Sequence, residues 1–425
     1  MSGELISSYL LQGACALLVF GVGAHVLAVA WRARMDISAS RAEHRIRLRT
    51  LEEALRTATA RRDTERGVVD GSWSGTRKFR IARKSTEALD ICSFYLIPHD
   101  GKALAPFSPG QFLTFSLRLP DRAQPLIRCY SLSDSPFERQ HYRVSIKRLG
   151  PPPQQPDLPL GLSSNHFHNN LKEGDIVDVK APGGSFYLDL EQRRPVVLIA
   201  GGVGVTPIFS MLKAACAADY GQEVWFFYGV RRGAEHAFHE EMEACEAQHS
   251  NVKLRYCYSK PSDEDRTDNA YHFDENVSVE LFKRILPSSN YVFYICGPPP
   301  MMAGVSEDLL AWGVPEEDIR MEAFGPASVK KTETSPRPAG SEEFTIQFAR
   351  SGKSLGWTGG ENLLEFAEKN GVVMDFGCRA GSCGTCLTAI KSGSVEYLRK
   401  PDTQPEVGSC LACMARPTSD LVLDA

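Results

Sequence analysis

The chain has 425 residues, too many for one ordinary domain of roughly 100–200 residues. Its 43% hydrophobic and 24% charged content excludes a disordered or collagen-like chain. A net charge of −4 offers no bulk attraction for nucleic acid, yet residues 32–66 hold ten Arg against six acids, a local +4 that leaves −8 for the rest. Of twelve cysteines, five crowd residues 378–413, which reads as a metal or cluster site facing a reducing cytosol rather than a disulfide framework.

From Leu5 to Trp31 there are 27 residues without Asp, Glu, Lys or Arg. As a helix this run would be about 40 Å long, enough to span a hydrocarbon core of roughly 30 Å. Tyr9 and Trp31 mark its ends, and Arg32, Arg34, Arg41, Arg45, Arg47 and Arg49 follow. By the positive-inside rule, residues 1–31 form a single transmembrane helix and the catalytic bulk lies in the cytoplasm, at the inner (cytoplasmic) membrane. Ala28-Val29-Ala30 imitates a signal cleavage site, but Met-Ser-Gly-Glu at the start lacks the positive charge that a signal peptide needs. Residues 32–71 read as an Arg-rich helical stalk.

Residues 72–190 alternate short apolar–polar runs with turn signals: Lys78–Ala82, Ile91–Ile97, Gln111–Leu117, Tyr142–Arg148 and Ile176–Lys180. This spacing predicts a small antiparallel β-barrel. Within it stands Arg128-Cys129-Tyr130-Ser131. A guanidinium can hold a pyrophosphate in two places, an aromatic ring can cover a flavin face, and a hydroxyl can reach a ring nitrogen. Val144–Arg148, including Lys147, follows; then Gly161-Leu162-Ser163-Ser164 places a small-residue turn before a short helix whose first amides suit phosphate.

Residues 191–326 open with the apolar strand Pro195–Ala200. The glycine-rich turn Gly201–Gly204, with Thr206 and Pro207, leads into a helix over Ile208–Ala217, and Pro207 suits its first position. Strand, turn and helix in this order predict a parallel sheet that binds a dinucleotide. The next strand, Glu223–Val230, carries Tyr228 and ends at Arg231-Arg232, with no acid before Glu235; NADH and NADPH both remain open. A further strand, Tyr291–Ile295, ends in Cys296-Gly297-Pro298, and the segment closes on Glu322-Ala323-Phe324-Gly325-Pro326.

Residues 327–340 read as a polar linker, and residues 341–425 as a compact α+β module. Glu343–Arg350 and Lys353–Trp357 predict a hairpin, Glu361–Lys369 a short helix and Asp420–Leu423 a last strand. Cys378, Cys383 and Cys386 show C-x4-C-x2-C spacing with distant cysteines at 410 and 413, the plant-type [2Fe–2S] arrangement. A zinc ribbon would need paired C-x2-C motifs instead.

These motifs together resemble the ferredoxin–NADP reductase superfamily, its flavohaemoglobin-like and oxygenase-reductase-like branches above all, followed by a plant-type ferredoxin module of the β-grasp kind. The resemblance implies FAD rather than FMN, held by Arg128, Cys129, Tyr130, Ser131, Lys147, Gly161, Ser163 and Ser164. Phe112 stands where relatives often carry Tyr, and the Pro-rich stretch from Pro151 to Pro156 lengthens the loop before the phosphate turn. The resemblance further implies a nicotinamide coenzyme on Gly202, Gly204, Thr206, Pro207, Tyr228, Arg231, Cys296, Gly297 and Pro298. Ser131, Cys296, Glu322 and Phe324 would be the catalytic residues, with Phe324 and Gly325 beside the flavin ring. The cluster ligands would be Cys378, Cys383, Cys386 and Cys413, because plant-type ferredoxins place a proline four residues after the last ligand, here Pro417.

The implied activity is electron transfer from NAD(P)H through FAD and [2Fe–2S] to a partner protein. The partner expected is a membrane-associated oxygenase, hydroxylase or desaturase. A quinone-reductase ion-pump subunit shares the modules but places its ferredoxin first, and a membrane-tethered redox sensor would show a damaged cofactor motif.

Overall fold

The computed structural model describes residues 73, 75–120, 122, 124–151, 160–324, 343–379, 381, 383–397, 401 and 405–425. The expected transmembrane helix, the stalk, the linker and Gly325 lie outside the described residues. Among the described residues, no helix is long and apolar enough to cross a membrane.

The first module is an antiparallel sheet of strands β1 (Arg77–Ala88), β2 (Ile91–Pro98), β3 (Phe112–Leu117), β4 (Leu126–Ser131), β5 (Tyr142–Lys147) and β6 (Ile176–Gly183), with helix α1 (Leu162–Asn169). The strand order is β4-β3-β6-β1-β2-β5. A bridge from Leu132 to Val144 joins the two end strands and closes the barrel. Strand β1 runs well past the expected Lys78–Ala82 because two register irregularities bend it along β2. Its second half is polar, so apolar alternation could not reveal it. The barrel interior is apolar, with Phe79, Phe94, Leu113, Phe115, Val144 and Phe167 all fully buried.

The second module is a parallel sheet in the order β11-β10-β7-β8-β9. Its strands are β7 (Val196–Gly201), β8 (Val224–Val230), β9 (Val252–Tyr258), β10 (Val292–Cys296) and β11 (Ile319–Glu322). Helices α2 (Val205–Ala217), α3 (His239–Gln248), α4 (Asp263–Thr267), α5 (Val279–Ile285) and α6 (Pro299–Ala311) connect them. Every residue of β7 is buried, as expected of a parallel strand covered on both faces. Its alternate residues fill two cores: Val196, Leu198 and Ala200 on one side, Val197 and Ile199 on the other. Helix α2 starts at Val205, earlier than expected, because Gly202–Gly204 forms a single 3-10 turn that leads straight into it. Pro207 is therefore third in the helix rather than first. It is tolerated there because first-turn amides have no intrahelical acceptor.

The third module has the mixed sheet β13-β12-β18-β14-β16 and a ribbon of β15 and β17. The strands are β12 (Phe344–Phe348), β13 (Lys353–Trp357), β14 (Leu387–Ser392), β15 (Val395–Tyr397), β16 (Ser409–Leu411), β17 (Ala415–Pro417) and β18 (Leu421–Leu423). Strands β12 and β13 form the expected hairpin, and β12 pairs with β18 in parallel. Helix α7 (Leu363–Lys369) starts at a reciprocal cap between Asn362 and Glu365, which satisfies two orphan amides.

A partly buried charge cluster docks the barrel onto the parallel-sheet module. Arg143 on β5, 2% exposed, reaches Glu241 on α3 at 2.6 Å and lies 3.5 Å from Asp134. Lys213 on α2 reaches Asp134 at 2.6 Å and Glu241 at 2.7 Å. Burial alone would raise the Asp134 carboxyl, but contacts with His141, Arg143 and Lys213 outweigh it and hold the group well below the ordinary carboxylate range. Removing Arg143 leaves two acids, Asp134 and Glu241, sharing one lysine, Lys213. Arg143→Met should therefore lower the unfolding free energy by about 3 kcal/mol, read by denaturant titration. Because the Asp134 pKa is depressed on folding, its contribution is present above its unfolded value of about 3.9 and is lost as pH falls below it. The wild-type margin over Arg143→Met should narrow only in that acid range.

Candidate functional site

Strand β4 carries the residues expected at the flavin, and its neighbours come from all three modules. Tyr130 Oη is 2.8 Å from Ser163 Oγ, which ties the strand to the first turn of α1. Burial pushes the Tyr130 phenol up to about 12, so the hydroxyl stays protonated. Ser131 donates to Glu322 at 3.5 Å, across to the last strand of the parallel sheet. Arg128 donates to the Ile127 carbonyl at 2.7 Å, and its guanidinium lies 5.5 Å from the centre of the Phe376 ring in the third module. Cys129 is 3.4 Å from Thr114 Oγ1, directly opposite on β3.

The turn before α1 suits a phosphate. Gly161 sits at the N-cap with no side chain capping the helix, leaving first-turn amides to an anion. Ser164 receives the Leu149 amide at 3.1 Å and donates to the Gly161 carbonyl at 3.3 Å, holding the turn closed. Two expected residues stand differently. Lys147 pairs with Asp90 at 3.5 Å, and Phe112 is 5% exposed with its ring packed against Gly184. Neither is presented openly to a ligand.

The coenzyme residues gather at the carboxyl ends of β7 and β10, where the strand order reverses. That switch point is where open parallel sheets bind dinucleotides. A Cβ at Gly204 would stand 2.6 Å from the Gly297 amide nitrogen, so only glycine lets this turn approach the Cys296–Pro298 turn. Tyr228 donates to the Gly202 carbonyl at 3.2 Å, and Thr206 to Val203 at 3.1 Å. Cys296 is fully buried. Burial, with Glu322 nearby, raises its thiol pKa well above the ordinary value and keeps it neutral. Phe324 is 38% exposed at the end of the same edge. Arg231 pairs with Glu235 at 2.9 Å, an acid that also faces Arg232 at 3.9 Å.

Among the described residues, no three His, Cys, Asp or Glu converge on a single ion. The cluster thiols come instead as two pairs. The Cys378 amide donates to the Cys383 sulfur at 3.2 Å and the Cys383 amide to the Cys378 sulfur at 3.3 Å, while Cys386 Sγ is 3.2 Å from Cys413 Sγ. Two thiol pairs fit two irons with two protein ligands each. The Thr385 hydroxyl is buried alongside, facing the Cys383 sulfur. Cys410 on β16 is buried in the apolar core of the module, which pushes its thiol up to about 12. Sequence reasoning missed Thr114, Phe376 and Gly377, none of which belongs to a spaced motif, and gave no role to Thr385, which lies inside the C-x4-C-x2-C spacing.

Residues 78–187 match the oxidoreductase FAD-binding domain family, residues 198–307 the oxidoreductase NAD-binding domain family, and residues 349–418 the 2Fe-2S iron-sulfur cluster binding domain family. The flavohemoprotein of Halalkalibacterium halodurans is 37% identical over 263 residues, 62% of this chain and 63% of that protein. That of Bordetella pertussis is 37% identical over 280 residues, 65% of this chain and 66% of its own. The chain thus spans less than two thirds of the length of these curated relatives. Among solved structures, the flavohem-like FAD/NAD binding domain of nitric oxide dioxygenase from Vibrio cholerae O1 biovar El Tor is 34% identical, with a TM-score of 0.52, over 59% of this chain and 100% of that one. Phthalate dioxygenase reductase is 30% identical, with a TM-score of 0.50, over 83% of this chain and 98% of that one.

The thiol pairing separates the two late cysteines. Cys413→Ser should abolish the visible absorbance and iron content of the cluster, whereas Cys410→Ser should keep both. Loss of the cluster on Cys410→Ser alone would contradict the pairing.

Proposed function

Since this chain belongs to the ferredoxin–NADP reductase superfamily and is an NAD(P)H-dependent oxidoreductase of the ferredoxin-reductase type, we propose that it is the membrane-anchored reductase component of an oxygenase, hydroxylase or desaturase system. Its cofactors are FAD and a [2Fe–2S] cluster, with NAD(P)H as the source of electrons. The observation that carries the reading is strand β4, whose six residues touch the coenzyme module at Glu322 and the cluster module at Phe376. Phthalate dioxygenase reductase, described as a modular structure for electron transfer from pyridine nucleotides to [2Fe–2S], is matched over nearly its whole length. That extent supports an oxygenase component as acceptor.

Bound FAD supplies the conversion between a two-electron hydride and single electrons. The chain's own residues supply position and electrostatics. Tyr130, braced by Ser163, covers one side of the flavin site, and the uncapped turn at Gly161 takes phosphate. Ser131 is held by Glu322, so its hydroxyl is oriented where strands β4 and β11 meet. Gly202, Gly204, Thr206 and Pro207 seat the coenzyme phosphates against the Cys296–Pro298 turn. The neutral Cys296 thiol packs beside the nicotinamide without placing a negative charge there. Phe324, exposed at the end of the same edge, would cover the flavin ring when FAD is bound.

Residues 5–31 hold the protein to the cytoplasmic membrane, with residues 32–71 as a stalk and the three modules in the cytoplasm. Their apolar length and the arginine excess that follows support this placement. Tethering raises the effective concentration of a membrane-associated acceptor without adding contacts.

The electron route is tested with Cys413→Ser. NAD(P)H should bleach its flavin at the wild-type rate, while turnover with the protein acceptor falls to background. Retained turnover would place the exit at the flavin. If NADPH is the preferred coenzyme, Arg231→Ala should lower kcat/KM for NADPH far more than for NADH; equal losses would make the arginine structural, through its pair with Glu235, or place it on the shared pyrophosphate. The full-length chain should sediment with membranes, and a chain starting at Gly71 should be soluble, active with a small artificial acceptor and poor with the membrane partner. Recovery of the full-length chain in the soluble fraction, or a mature N-terminus after Ala30, would contradict the anchor.

A further inference from the structure

Strand β4 meets the cluster loop at a point that the electron route above does not use. Cys129 is fixed from behind by Thr114, its direct cross-strand neighbour, at 3.4 Å. In front of it lies Gly377, the residue before the first cluster cysteine. A Cβ built on Gly377 would stand 3.5 Å from Cys129 Sγ, 2.8 Å from Cys383 Sγ and 3.2 Å from Thr385 Oγ1. The backbone of Gly377 does not adopt a positive φ, so what a larger residue meets is the Cys383 sulfur, too close for a Cβ, while it would only touch that of Cys129. The sulfurs of Cys129 and Cys383 thus both adjoin the same glycine. Beside them, the Phe376 ring lies between two guanidinium groups, Arg128 of the barrel at 5.5 Å and Arg379 of the cluster loop at 4.0 Å from its centre. Arg379 is tied in turn to Glu368 on α7.

We propose that Cys129 is a positioning residue for electron transfer between the modules: its contact with Cys383 across Gly377 fixes the cluster loop against the flavin strand and sets the gap the electron crosses. The inference rests on the reading of the protein as an NAD(P)H–flavin–cluster reductase. Each transfer moves one electron from the reduced flavin to one ferric ion of the cluster, the pair having come from the coenzyme. No bond forms or breaks at Cys129. Among the described residues, the contact at this point brings together one sulfur, one glycine and one ring between two arginines. A side chain that shortens Cys129 or fills Gly377 should therefore change the gap.

The test uses the full-length holoenzyme and three variants, Cys129→Ala, Cys129→Ser and Gly377→Ala. Reduction of the flavin by NAD(P)H and of the cluster by the flavin are followed separately by stopped-flow absorbance, and the reduced cluster is examined by EPR. In Cys129→Ala and Gly377→Ala, cluster reduction should slow by roughly tenfold or more, in line with the cost of small misplacements of reacting groups. The EPR g-values should shift, because the surroundings of Cys383 change. Cys129→Ser, which keeps a short hydroxyl at the contact, should recover most of the rate and the wild-type spectrum. Should Cys129→Ala fail to retain flavin, Gly377→Ala carries the same test from the other side of the contact. Wild-type rates and spectra in both Cys129→Ala and Gly377→Ala would overturn the proposal. A wild-type cluster that the flavin never reduces would instead overturn the electron route itself.

Discussion

The arrangement of the molecule depends on one short strand that must serve three neighbours at once. Side chains alternate along β4, so Cys129 and Ser131 point away from the side taken by Arg128 and Tyr130. Tyr130 is thereby committed to Ser163 and the phosphate turn, and Ser131 to Glu322 of the parallel sheet. Cys129 meets the cluster loop. A slip of one residue in the pairing of β3 with β4 would exchange every one of these partners. The register is held by a continuous ladder from Phe112–Ser131 to Leu117–Leu126, and by the Leu132–Val144 bridge that closes the barrel.

That strand can only organise transfer if the modules stay docked on it. The docking of barrel and parallel sheet rests on charge: buried Arg143 and Asp134 with half-buried Lys213 and Glu241 form a cluster of two cations and two anions. Such a cluster contributes little net stability, since desolvation offsets attraction, but it penalises any misplacement that breaks a pair. It therefore specifies the angle between modules more than it strengthens them. Ser210, donating to the Asp134 carbonyl at 2.7 Å, fixes the same point through the backbone. On the ferredoxin side, the described contacts at β4 are a sulfur, a ring and a glycine.

Much of this was legible in the sequence, and the reason differs between elements. The parallel-sheet strands are local apolar runs flanked by glycine turns, so β7, β8 and β10 emerge within a residue or two of their bounds. The cluster spacing is legible because three of the four thiolate ligands come from one tight loop, Cys378–Cys386, while the fourth lies 27 residues on. The polar half of β1 escaped because its residues face water on a bent strand, and α3, with four glutamates and almost no apolar face, gave no periodic signal. Strand β4 was noticed for its chemistry and not as a strand. Contacts such as Arg143 with Glu241, or Gly377 with Cys129 and Cys383, join residues far apart in the chain. No local pattern encodes them, and only the folded geometry brings them together. The ion pair of Arg231 with Glu235 shows the limit of motif reading: the acid sought at the strand edge is present, four residues on, and it holds the arginine.

The central claim is that electrons pass from NAD(P)H to the flavin and then to the cluster within one chain. Its most direct test is to mix the oxidised, full-length protein with NAD(P)H anaerobically and to follow flavin absorbance by stopped flow and the cluster by freeze-quench EPR. The flavin should bleach first, and the reduced-cluster signal should then grow to account for one electron per chain. A fully reduced flavin beside a cluster that stays oxidised, or a cluster signal that rises before the flavin bleaches, would contradict the account.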